Sequence, residues 1–181
     1  VQTIMPSIPG GDSGELVAEA CELGTAHPPG YPLYTLLLHL VSLVPYGSVA
    51  WRANLFCSTL SAIASGFLCA LVQQFSKGDL ASHYTWGGIV AGTMYGFSPL
   101  VWTYAVGSEV FAMNNFFAAW VLYLSARYAS TGEDRYVFFG AFVCGLGMCN
   151  QHTLILYEIP LVLWILWTQW SAVKLTVGRI S

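Results

Sequence analysis

The sequence predicts an all-α integral membrane protein, and three observations carry that prediction. Only 8% of its 181 residues are charged, against roughly 25% in soluble domains, too few to cover a water-facing surface. Seven Trp, ten Tyr and ten Phe suit a bilayer, where aromatic rings gather at the headgroup level. Five apolar segments, at about 52–75, 85–106, 109–128, 136–151 and 154–170, approach the ~20 residues a crossing helix needs.

Residues 1–51 precede the first crossing and are expected to carry two interfacial helices. In the first, over 13–23, Glu15, Glu19 and Glu22 recur at helical spacing opposite Leu16, Ala20 and Leu23, an amphipathic helix with an acidic face. His-Pro-Pro-Gly-Tyr-Pro, residues 27–32, follows as a turn stiffened by its fixed φ angles. The second helix, over 32–44, starts with Pro32 at a first helical position and ends at Pro45-Tyr46-Gly47. It is too short to span and is read as lying in the interface, with His39 on it.

The five spans follow at 52–170, and residues 171–181 form a short tail. The fourth span is short, and its Gly140, Gly145 and Gly147 predict close helix contact rather than lipid exposure. Folding the five crossings puts Lys77, Arg127, Arg135, Lys174 and Arg179 on or near one side, and Arg52 alone on the other. The positive-inside bias makes the richer side cytoplasmic. The chain begins at Val1 without a signal peptide or preceding apolar helix and stops shortly after an apolar segment, and is therefore expected to be a fragment missing at least an amino-terminal span.

The net charge of −3 and the absence of basic tracts argue against a nucleic-acid partner. The five cysteines have no metal-ligand spacing with histidine and no disulfide framework, so no metal centre or cofactor is expected.

The same side count gathers Asp12, Glu15, His27, Arg52, Glu109, Asn114, Asn115, Asn150, Gln151 and His152 at the non-cytoplasmic face. Ionisable residues at membrane depth are expensive and mark functional sites. Each still has a plainer reading. Asp12-x-x-Glu15 fits a capping box, or else Asp12 is a general base that Glu15 assists. Ser108 suits a helix cap, and Glu109 the positive end of that helix. Asn114 and Asn115 fall inside an apolar run, which capping does not explain. Residues 149–153 fit a polar hairpin as well as a site, Glu158 fits a neutral buried carboxyl, and His27 fits a turn residue better than a metal ligand.

Three motifs, "GGDSGELVAEACELGTAHPPGYPLYTLL", "SEVFAMNNFF" and "CNQHTLILY", occur in order and together resemble a family of multi-span glycosyltransferases. These are protein O-mannosyltransferases of the endoplasmic reticulum, acting on the IPT domains of plexin-type receptor ectodomains. The resemblance extends to about Trp170 and implies a C-type glycosyltransferase fold, a multi-span helical bundle with juxtamembrane helices in its first lumenal loop. It also implies a lipid-linked donor, dolichyl-phosphate mannose, and a lumenal active site with the acidic motif at Asp12 and Glu15. Donor and acceptor contacts are assigned by chemistry alone to His27, Arg52, Glu109, Asn114, Asn150, Gln151 and His152, with Arg52 as the best placed cation for the lipid phosphate. A single base fits inversion at the anomeric carbon better than retention. Two other functions stay open on the residues alone: a membrane transporter, and a catalytically inactive truncated form of the enzyme.

Overall fold

The structure, a computed structural model, describes residues 3–75 and 81–180, the side chains of 81–84, 169 and 171–180 excepted. Lys77, and the side chains of His83 and of Lys174 and Arg179 in the expected tail, lie outside what is described. All regular structure among the described residues is helical. Two short helices, α1 (Ser13–Glu22) and α2 (Pro32–Ser42), precede the long α3 (Val49–Gln73). Next come α4 (Ala81–Gly96), α5 (Pro99–Ala105), α6 (Val110–Thr131) and α7 (Arg135–Met148). A 3-10 turn, His152–Leu154, then leads into α8 (Ile155–Ile180).

α3 is the one described helix long and apolar enough to cross a bilayer by itself, and only 17% of its most apolar window is buried. A soluble core helix would bury most of that window, so α3 has the surface of a lipid-facing helix. Shorter apolar helices, α2, α7 and the start of α8, accompany it.

α1 and α2 form a hairpin that α3 supports. Leu16, Val17 and Ala20 of α1 are buried together with Tyr34 and Leu38 of α2, each large side chain contributing about 1.5–3 kcal/mol of transfer free energy. His39 Nδ1 lies 2.8 Å from the Ala20 carbonyl and ties the two helices. Leu23, expected on the apolar face, is instead 54% exposed. It closes α1 in a left-handed conformation, φ 53°, which turns its side chain out of the helical register.

α3 packs against α4 on one side and α6 on the other. The α4 contact is made backbone to backbone: a Cβ at Gly92 would sit 2.8 Å from the Ser65 carbonyl. The expected glycine contacts of α7 reduce to Gly147, which meets Phe117 and Leu154, while Gly140 and Gly145 face open space. Small residues promote close packing only on the face turned to a neighbour, and sequence spacing did not identify that face. Residues 85–106, expected as one helix, are two. Pro99 has no N–H to donate and cannot continue α4, so α5 starts afresh with the Ser98 hydroxyl accepting from Val101 N at 3.4 Å.

Candidate functional site

α1, the 24–31 turn and the start of α6 meet at one end of the bundle. Cys57 of α3 joins them, taking Tyr34 Oη at 3.3 Å and donating from Sγ to the Glu109 carbonyl at 3.6 Å. α7 delivers its last residues to the same place. Leu33 N donates to the Cys149 carbonyl at 3.0 Å, and Asn150 Nδ2 to the Val110 carbonyl at 3.4 Å. Three stretches remote in sequence are thus brought to one surface.

The Asp12–Glu15 capping box does not form. Asp12 occupies the N-cap with helical φ and ψ and no side-chain cap bond, because αR geometry turns its carboxylate away from the first N–H groups. Glu15 reaches out of the helix instead. Its Oε1 accepts from His27 N at 2.6 Å, and its Oε2 lies 3.1 Å from His27 Nδ1. The ring's other nitrogen, Nε2, stands 3.8 Å from Asp12 Oδ2 and 3.4 Å from Tyr31 Oη. His27 therefore bridges the two acids of the first motif.

Glu109 closes the cluster from the opposite side. Its Oε1 accepts from the buried Ser13 hydroxyl at 3.2 Å. At Gly11, which has φ +76°, a Cβ would lie 2.9 Å from Glu109 Oε1. Only glycine adopts that backbone freely and leaves room for the carboxylate. The expected Ser108 cap of α6 is also absent: Glu109 is the N-cap, without a side-chain cap bond, and Ser108 Oγ is buried without a partner.

The cluster is electrostatically asymmetric. The His27 backbone N–H, then its ring, hold the Glu15 carboxyl below the usual carboxylate value. Glu109, in the turn ahead of α6, is raised by burial, with the Ser13 hydroxyl opposing and the Asp12 charge adding to the shift. Burial, then the charges of Asp12, Glu109 and Glu15, raise the Tyr31 phenol. Glu15 is thus the settled anion of the group, Glu109 the more readily protonated acid, and Tyr31 a neutral donor at neutral pH.

The other expected site residues divide. Asn150 belongs to the site's floor, with Oδ1 buried and unpartnered. Asn114 and Gln151 likewise keep buried side-chain oxygens without hydrogen-bond partners, and His152 is exposed at the start of the 3-10 turn. Arg52 stands apart from the acids. Its Nη1 donates to the Tyr46 and Gly47 carbonyls, both at 2.9 Å, and its Nη2 to the Ser42 carbonyl at 2.7 Å. It closes the end of α2 and the turn after it, with Nε left unpartnered.

Three residues of the site region were not singled out from sequence. Ser13 and Tyr31 complete the acid cluster. Asn54, fully buried on α3, donates from Nδ2 to the Met5 and Ser7 carbonyls at 2.9 and 3.1 Å, fixing the segment that leads into Gly11. A polar residue in the first turns of an apolar helix, two positions after Arg52, was the available signal for Asn54.

A helical module with a bilayer-length apolar helix and an acid–imidazole cluster at one end of it is a membrane-protein module with a polar site at the bundle's rim. The chain belongs to the protein O-mannosyl-transferase TMEM260 family: residues 12–175 match the family's N-terminal domain. It is 43% identical over 183 residues to the protein O-mannosyl-transferase TMEM260 of Mus musculus, covering 98% of this chain and 25% of that protein. The corresponding protein of Dictyostelium discoideum is 38% identical over 180 residues, covering 91% of this chain and 21% of the relative. The chain thus spans about a quarter or less of the length of these relatives. No solved structure matches it. The family resemblance read from the three motifs is borne out.

Proposed function

We propose that this chain forms the donor- and acceptor-facing amino-terminal part of an inverting protein O-mannosyltransferase. The enzyme is a multi-pass protein of the endoplasmic-reticulum membrane, with five crossings in this region and its site in the lumen. One observation carries the reading: Asp12, Glu15, His27 and Glu109, from loops about a hundred residues apart, form one open cluster at a single end of the bundle. The names of the relatives support mannosyl transfer as the activity. The positive-inside bias supports the side, since Arg127 and Arg135 lie at the far end of α6 and the start of α7.

Asp12 is the base. Its carboxylate, with a side chain 60% exposed, takes the proton of an acceptor Ser or Thr hydroxyl as that oxygen attacks the anomeric carbon of a β-linked mannosyl donor. The bond from that carbon to the phosphate oxygen breaks, and its electron pair leaves with dolichyl phosphate. Attack from the opposite face gives the α-mannoside. Glu109 holds the loop that carries Asp12, through Ser13. The acceptors are receptor ectodomains with IPT folds, of the plexin type. No metal or cofactor enters this scheme. Asn150, Gln151 and Asn114, with buried oxygens unpartnered, are the polar groups left for sugar and acceptor. For Arg52 to take the lipid phosphate, its Nε and the N–H bonds not directed at Ser42, Tyr46 and Gly47 must do so.

The test is Asp12→Asn in the full-length protein, read by mass spectrometry of receptor ectodomains from cells lacking the endogenous enzyme. Mannose is expected to disappear while membrane insertion persists. Full mannosylation by the variant would exclude Asp12 as the base.

A further inference from the structure

With Asp12 as base, each turnover leaves one proton on its carboxyl, and that proton must depart before the next acceptor is deprotonated. We propose that His27 is the relay that removes it, and that Glu15 is the positioning residue that holds the imidazole for this task; the proposal rests on the reading of Asp12 as the base.

The geometry assigns the ring's two nitrogens different duties. Glu15 binds the His27 backbone N–H through Oε1 and faces ring Nδ1 through Oε2 at 3.1 Å. A carboxylate can only accept, so Nδ1 carries the hydrogen, and in the neutral ring Nε2 keeps its lone pair. Glu15 is held below the usual carboxylate value by these same bonds, so it remains an acceptor at neutral pH. Nε2 is presented to Tyr31 Oη at 3.4 Å and to Asp12 Oδ2 at 3.8 Å.

Both protonation states of the ring then have a partner. While the ring is neutral, the Tyr31 hydroxyl donates to Nε2. Once Nε2 is protonated, its N–H faces the Asp12 carboxylate. The charged groups that face the ring are Asp12, Glu15 and Glu109, and Tyr31 packs edge-on to it at 5.4 Å between centroids. Tyr31 reaches this place with φ 45°, a left-handed conformation that is strained for a non-glycine residue and tends to persist at functional sites.

The proton balance closes. The acceptor O–H proton passes to Asp12 as the new C–O bond forms and dolichyl phosphate leaves with the old bond's electron pair. The same proton then moves from Asp12 to His27 Nε2, once their 3.8 Å separation closes to hydrogen-bond distance in the complex, and from the half-exposed ring to water. Nothing is oxidised or reduced.

The relay is tested in the full-length protein by transfer from labelled dolichyl-phosphate mannose to a receptor ectodomain, with kcat, acceptor KM and the pH profile measured. His27→Gln should lower kcat about 10- to 100-fold, at or below the lower end of the range for lost acid–base assistance because water can still take the proton slowly, with KM within twofold. One ionisation limb of the kcat profile should vanish. His27→Ala should regain rate in imidazole buffer. Glu15→Gln should lower kcat less, and Glu15→Asp should recover part of that loss. Wild-type kcat in His27→Gln overturns the relay, as does a loss that imidazole does not rescue and that comes with a raised KM, which would assign the pair to loop packing. With Asp12→Asn inactive, either result removes the relay alone; an active Asp12→Asn removes the base as well.

Discussion

The two ends of α6 carry polar clusters built on opposite principles. Near Val110, Asp12 and Glu15 share the His27 imidazole, Glu109 joins them through Ser13, and several oxygens stay unpaired. Some 17 residues on, roughly 25 Å along the helix, Arg127 donates from Nε and Nη2 to Tyr136 Oη at 3.2 and 2.8 Å, and from Nη1 to Gln74 Oε1 at 3.2 Å. Arg135 packs over the same ring, 5.0 Å from its centroid, and pairs with Glu133 at 2.6 Å. The second cluster is satisfied: it locks α3, α6 and α7 together at one rim. The first has spare lone pairs and like charges in proximity, an arrangement that contributes little to stability and suits chemistry. Arg52 sits by position at the first end but behaves like the second, since its bonds run to backbone carbonyls.

That contrast can be broken or sharpened by substitution, beginning with the largest expected effect. Arg52→Ala removes a buried guanidinium that ties the end of α2 to an exposed turn through three carbonyls and should lower unfolding stability by about 2–3 kcal/mol, measured by thermal unfolding in detergent. Retained stability with lost activity would instead return Arg52 to the donor's phosphate. Gly11→Ala forces a Cβ toward Glu109 Oε1 at φ +76°. It should cost about 1–2 kcal/mol and slow mannose transfer roughly tenfold by displacing Asp12, which the same transfer assay reads.

A smaller effect concerns acid. Glu15 has a folded-state value below its ordinary 4.5, so its hold on the 24–31 turn is complete above that ordinary value. It is lost as the pH falls through the depressed folded value. Hydrogen exchange at the His27 amide should be protected at pH 6 and released on acidification, and Glu15→Gln should release it at both. Smallest is Tyr136→Phe, which removes one shared acceptor at an exposed rim. It should cost less than about 1 kcal/mol and leave transfer unchanged; a large loss of activity would mean that the two ends are coupled.

Much of the helical scaffold was legible from composition and period. The amphipathic pattern of α1, Pro32 at the start of α2 and the long apolar run of α3 all precede helices where the pattern indicates them. The acids of the site were legible as an excess of carboxylates in a chain that has nine Asp and Glu in all. Their partners were less so. Asp12-x-x-Glu15 obeys the local rule for a capping box, yet His27, twelve residues beyond Glu15, outcompetes the helix N–H groups for its carboxylate. Arg52 read as a free cation because its three acceptors are carbonyls, which every residue has and no pattern marks. The break at Ser98-Pro99 was visible in principle, since proline cannot continue a helix, but the flanking apolar run masked it.

By itself the sequence determined that this chain is helical and apolar, and that its scarce acids concentrate before the first long helix, because periodicity and composition act over a few turns. Only the tertiary structure decided which of those acids meet. Whether Glu109 reaches Ser13 across ninety-six residues, and which nitrogen of His27 remains open, depend on how α3 and α6 pack. That packing is a sum of many small contacts, and no local rule encodes it.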